Sequence, residues 1–196
     1  MPTLFLDFCS HRKLFALVRD GRVVSESALV DHTDESAVLP AIEALLQKDG
    51  RTFADIGRIA AVTGPGGFMS QRVGLSVANA VSWSLKIPIA GLHLSDLYAA
   101  RISGDVLWIH STKKQLLFIR GFGAHATMWP EPVLITLDEL KTVTGAYVGE
   151  VLPEQAAVLI ATPLKTMREL TDVIPGIVEK ATYVHTPLTP WYGREA

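Results

Sequence analysis

The stretch AAVTGPGGFMSQRVGLSVANAVSW, Ala60 to Trp83, runs from an apolar segment through a glycine knot into an amphipathic helix. Strand, glycine turn and helix is an arrangement that holds phosphate, because small residues admit the anion to backbone N–H groups at the positive end of the helix dipole. It is not a Walker loop, since no Lys follows Gly64, Gly66, Gly67 or Gly74 at the required place. It is not a dinucleotide fingerprint either, because Met69 stands where the third glycine would be. The competing reading is a turn that needs glycine only for its backbone dihedrals. Asp7, at the end of an apolar first strand, is the one carboxylate whose position suggests chemistry. It would hold a metal–phosphate pair, or else cap a turn with its side chain on backbone amides.

Other chemistries find less support. His11, His32, His93, His110, His125 and His185 never fall three to five residues apart, so paired ligands for a catalytic metal are not expected. Cys9 is the only cysteine, which excludes an intrachain disulfide and a thiolate cluster, and beside an apolar strand it reads as a small core hydrophobe. There is no G-x-S-x-G elbow. A net charge of −2 gives no basic footprint for gripping nucleic acid unaided. The 48% hydrophobic content and mean hydropathy of +0.27 suggest apolar surface meant for a partner. No apolar run reaches the roughly 18 residues of a membrane span, and Asp7 with the basic residues after it interrupts a signal peptide. The cytoplasm is therefore the expected compartment.

These residues need elements to position them. TLFLDFCS and the hairpin KLFALVRDGRVVSESAL, turning at Asp20-Gly21, read as three strands. SAVLPAIEALLQKDG is a helix with Ser36 as N-cap, Val38, Ile42, Leu45 and Leu46 on one face, and Gly50 as its stop. IGRIAAVTG is a strand, Ser70–Leu85 a long helix, IPIAG a short strand and SDLYAAR a helix capped by Ser95. The pattern restarts after Arg101 with two strands around Ser111–Gln115, a short helix, the strand AYVGEV, the apolar piece AAVLIA and a helical MRELTDVIPGIVEK. This predicts an α/β protein with mixed sheets, divided into lobes 1–102 and 103–196. Gly74, Ala78, Val81 and Leu85 share one face of the long helix, beside a second stripe of Val73, Val77 and Ala80. One stripe suits the core, with Val73 and Val77 the better fit to it. The other, with its small residues, would admit a partner helix.

GPGGFMSQRVGLSVANAVSWSLKIPIAGLHLSDLYAA resembles the loop, helix and I-P-x-x-G segment of the TsaB family, non-catalytic subunits of the bacterial machinery for threonylcarbamoyl-adenosine on tRNA. The Asp7 strand with its hairpin, HTDESAVLPAIEALL, AYVGEV and the Pro-x-Tyr-x-Arg of LTPWYGR resemble further family segments in the same order. The resemblance implies an actin-like ATPase, ribonuclease-H-like fold of two lobes. It implies a subunit without ATP turnover or cofactor that binds its catalytic paralogue TsaD, joined by the ATPase TsaE, and meets tRNA only through that complex. Asp7, Gly64, Gly66 and Gly67 then form a vestigial phosphate loop. Leu39, Ile42 and Leu46 on the first helix and Gly74, Ala78, Val81 and Leu85 on the second form the docking face, and the chain alone is expected to form a homodimer. Departures from the family pattern include Met69 and Ser70 in the loop, and Ser111 where the family has Asp. A small ATP-dependent kinase or peptidase-like enzyme of the same fold, and a homodimeric binding protein, are the alternatives.

Overall fold

The computed structural model describes residues 1–29, 35–113, 115–164 and 166–193. The family-like His32, Thr33 and Arg194 lie outside them. Two units emerge, one of 1–94 with 170–191 and the other of 95–169 with 192–196.

In the first unit, the unbroken apolar run Leu4–Leu6, buried on both faces, puts β1 (Thr3–Asp7) at the centre of a sheet ordered β3-β2-β1-β4-β5. β2 (Lys13–Arg19) and β3 (Arg22–Leu29) form the antiparallel hairpin that Asp20-Gly21 announces, both turn residues having positive φ. β4 (Arg58–Gly64) and β5 (Ile89–His93) continue the sheet in parallel. Leu4, Leu6, Phe15, Leu17, Ile59 and Ala61 point to one face and share a core cluster with α1 (Val38–Gln47) and α2 (Phe68–Leu85). Glu179 of α6 (Leu170–Lys180) pairs at 3.2 Å with Arg58, whose Nε donates to Thr3 Oγ1; this sets α6 on the opposite, Thr3–Phe5 face. Ser36 does not cap α1. A 3-10 turn (Glu35–Ala37) precedes it, and Pro40 sits in the first turn, where its missing N–H costs nothing.

The second unit repeats the plan in order β8-β7-β6-β9-β10, with β6 (Val106–Lys113) central and antiparallel to β7 (Leu116–Phe122). β8 (Val133–Thr136), β9 (Ala146–Glu150) and β10 (Thr162–Pro163) complete it. The connecting helices are short: α3 (Leu94–Ala99), α4 (Leu137–Leu140) and α5 (Pro153–Ala156). Thr136 caps α4, accepting from the Glu139 amide while the Glu139 carboxylate accepts from the Thr136 amide. The AAVLIA segment forms the end of α5 and an irregular run before β10, because its backbone pairs with β9 only from Thr162.

The division into 1–102 and 103–196 therefore needs correction. The apolar face of α6, Val173, Ile174 and Val178, is buried against β1–β3 of the first unit, so the chain returns there after residue 169. Burial of such a face outweighs sequence proximity, at about 1.5–3 kcal/mol per side chain. No helix among the described residues is long and apolar enough to cross a membrane.

Candidate functional site

The glycine loop lies where an open α/β sheet normally receives its ligand, beyond the carboxyl end of a central strand. Here the chain fills that place itself. The Gln71 Nε2 amide donates to the Thr63 carbonyl and, at 2.8 Å, to the Trp191 carbonyl. Trp191 returns an N–H to Thr63 O at 2.9 Å and packs edge-on against the His93 ring at 4.4 Å. Gly64, at φ +147°, has its open face against Gln71 and the Trp191 carbonyl. At Gly66 a Cβ would stand 2.7 Å from Cys9 Cα, so this glycine serves close approach of the β1–β2 loop. Residues 184–188 hold the segment down. Val184 bridges Ile89, and Asn79 exchanges two 2.9 Å hydrogen bonds with the Leu188 backbone. Gln71 and Trp191 are thus the residues that decide what the loop does, and nothing in their spacing announces it. The terminal Pro-x-Tyr-x-Arg resemblance was the available signal, since it marked this tail as more than a trailing end.

Asp7 is fully buried and looks inward to its own turn. Its Oδ1 accepts the amides of Cys9 (2.8 Å) and Ser10 (3.1 Å), and Ser10 Oγ donates to Oδ2 at 2.5 Å. Burial pushes the carboxyl above its ordinary value, while the Ser10 hydroxyl and the Ser10 and Cys9 amides pull the other way. A folded-state pKa above the unfolded one means that the folded chain binds the proton more tightly. That contribution is complete below the unfolded pKa and is lost as pH rises through the folded one. Asp7→Asn keeps an acceptor for both amides and has no proton to lose. It should therefore gain on wild type in urea denaturation as pH rises above the ordinary carboxylate range, with a difference that closes at the acid end. Asp7→Ala should cost about 1–3 kcal/mol at the acid end, because two buried N–H groups lose their acceptor, and that cost should shrink as pH rises by the amount that Asp7→Asn gains. A wild-type-to-Asn difference independent of pH would refute the raised carboxyl.

The expected docking residues divide. Ile42, Leu46 and Ala78 are wholly or almost wholly buried, and Gly74 is buried too. A Cβ on Gly74 would collide with the Phe8 ring, so that glycine admits a neighbour from within the unit. Val81 and Leu85 are half-buried and pack on the same core. Only Leu39, 50% exposed, lies open. The buried face of α2 is Gln71, Gly74, Leu75, Ala78 and Ser82; its outer face carries Met69, Arg72, Ser76, Ala80 and Trp83. Both stripes contribute to the core. Gly74 and Ala78 fit the narrow space over Phe8, Val73 and Val77 pack half-buried on the same core as expected, and Ala80 joins the outer stripe. Trp83, at 84% exposure, escaped notice in the sequence, although its spacing from Ser76 and Ala80 places it on that stripe.

The duplicated strand order, with α1 and α2 on one face of the first sheet, defines the actin-like ATPase fold of the ribonuclease-H-like class. YeaZ from Pseudomonas aeruginosa has the same fold, with a TM-score of 0.73 at 15% identity over 97% of this chain and 99% of that one. The model of the family described as "TsaD: tRNA N6-adenosine threonylcarbamoyltransferase" matches residues 18–124, and the chain belongs to that family. A tRNA N6-adenosine threonylcarbamoyltransferase from Syntrophus aciditrophicus is 33% identical over 134 residues, 55% of this chain and 40% of that protein. The tRNA threonylcarbamoyladenosine biosynthesis protein TsaB of Bacillus subtilis is 29% identical over 101 residues, covering 51% of this chain and 44% of that one. The chain thus spans less than half the length of these curated relatives. The resemblance to TsaB seen in the glycine loop and its helix holds in fold along nearly the whole chain.

Proposed function

We propose that this chain is a TsaB-type subunit that supports threonylcarbamoylation of tRNA adenosine by docking a TsaD-type partner, and that it turns over no ATP itself. The observation that carries the reading is the outer face of α2. In 18 residues that helix has one charged side chain, Arg72, while Met69 and Trp83 lie 60% and 84% exposed. A solvated helix of this length ordinarily shows a charged outer face. One apolar on both sides is built to be covered twice, inside by its own sheet and outside by something else. Ser76 and Ala80, between the large residues, let a partner helix approach closely, and Leu39 of α1 is a further exposed apolar side chain. Free of its partner, the chain covers the same face by homodimerising. A TsaE-type ATPase joins the docked pair, and tRNA meets the assembly rather than this chain alone.

Loss of catalysis is supported by the occupied loop. Gln71 and the Trp191 carbonyl fill the approach to Gly64, Cys9 closes on Gly66, and Asp7 is committed to its own turn. Co-expression with a TsaD homologue of the same organism, followed by size-exclusion chromatography, should give one co-eluting complex. The isolated chain should hydrolyse ATP at background rate, and Asp7→Asn should leave the modification activity of the reconstituted complex unchanged. Separate elution would defeat the docking reading. ATP turnover that Asp7→Asn abolishes would defeat the non-catalytic one.

A further inference from the structure

Because the two sheets share one strand order, the first is an internal reference for the second. β2 and β3 are joined by the Asp20–Gly21 turn alone, whereas residues 123–132 separate their counterparts β7 and β8. A hairpin closes with two residues, so the fold does not require this excursion; loops beyond the fold's needs are where binding residues gather. The excursion is also firmly built. The Ala124 amide donates to Asp105 Oδ1 at 2.7 Å, and the Met128 and Trp129 amides donate to the His125 carbonyl at 3.2 and 3.1 Å. The Gly121 amide donates to the Trp129 carbonyl at 2.7 Å. The His125 ring is seated against Gly145, where a Cβ would stand 2.9 Å from Nε2.

Between this excursion and the turn before β9 lies an open-mouthed cavity of about 520 Å³. Trp129, Met128 and His125 give it aromatic and thioether walls, and Thr127, Thr142 and Thr144 bring hydroxyls to its edges. Thr142 Oγ1 already donates to the Glu139 carbonyl, so towards a ligand it accepts. Among the described residues that line it there is no Asp, Glu, Lys or Arg. A phosphate, carboxylate or ammonium group would find no counter-charge there. A flat uncharged ring with donors and acceptors on its rim would find faces to stack on and partners for its edge. We propose that the cavity is a binding site for a purine base, presented by a free nucleoside or by an unstacked nucleotide of RNA. This is independent of the α2 face and of TsaD docking.

The test uses the full chain and two probes, adenosine and a short single-stranded oligoadenylate, followed by saturation-transfer NMR and equilibrium dialysis. Wild type should bind adenosine. Thr144→Trp, an exposed substitution that fills the cavity, should weaken binding about tenfold or more, the scale of one lost base–aromatic stack. Thr144→Ser should retain it, and both variants should melt as wild type does. Should Thr144→Trp not fold, Met128→Glu serves instead, since Met128 is 70% exposed. Oligoadenylate binding at least tenfold tighter than adenosine identifies RNA as the source; equal binding identifies the free nucleoside. Absence of binding by both probes at millimolar concentration, or binding indifferent to the cavity-filling change, overturns the proposal. Neither outcome touches partner docking, which co-elution reads separately.

Discussion

Ala78→Glu is expected to leave the first unit unfolded, or to lower its melting temperature by at least about 10 °C. Ala78 is fully buried on the sheet side of α2, in the cluster that contains Phe8, Leu6 and Leu75. Nearby Gly74 shows how little room there is, since even a methyl group would meet the Phe8 ring. A carboxylate introduced there is unpaired and desolvated, at about 3–5 kcal/mol, and overpacking adds about 1–3 kcal/mol. Against a total stability of roughly 5–15 kcal/mol, either term matters and the sum is decisive. Thermal melting followed by circular dichroism reads the result. A variant that folds and melts as wild type does would mean that α2 sits the other way round, with Gly74 and Ala78 turned to the outside.

That possibility shows where the sequence was legible and where it was not. The hairpin at Asp20-Gly21, the long helix and the parallel β4 and β5 follow from period and turn chemistry, because each is a local signal. The side of α2 that meets the sheet is not local. Gly74-Ala78 and Val73-Val77-Ala80 are both apolar enough, and the choice falls to Phe8, a residue sixty-odd positions earlier whose ring needs the space that Gly74 leaves. Small residues on a helix face signal close approach, but not whether the neighbour is the chain's own or a partner's. The return of α6 to the first unit is hidden for a similar reason. Its apolar face is readable, while the sheet it covers depends on a connection that no spacing encodes. The glycine loop shows the converse case. Its shape is legible as a phosphate turn, but of the two groups that occupy it only Gln71 is local, and the Trp191 carbonyl arrives from the far end of the chain.

Ala80→Glu, two residues on from the core position, is expected to fold normally and lose its partner. Ala80 lies exposed between Ser76 and Trp83, with the first-turn Met69 further along the same side of the helix. Glutamate is nearly as good a helix former as alanine, so on a solvated surface the change should alter stability by no more than ~0.5 kcal/mol. In a desolvated interface an unpaired carboxylate loses its hydration with nothing to replace it. The expected loss is again about 3–5 kcal/mol, now charged to association, which is roughly two to three and a half orders of magnitude in affinity. Trp83→Ala should act in the same direction by at least about 2 kcal/mol if the indole anchors the contact, since buried tryptophans are the usual centres of binding energy. Co-elution with the TsaD-type partner and modification of tRNA in the reconstituted system should both fail for Ala80→Glu. Sedimentation of the free variant should show a monomer at concentrations where wild type has become a dimer. The paired variants separate the two sides of one helix: Ala78→Glu removes the fold and Ala80→Glu removes only the company it keeps. An Ala80→Glu protein that folds, dimerises and binds TsaD like wild type would show that the outer stripe stays in water, and the docking surface would have to be sought away from α2.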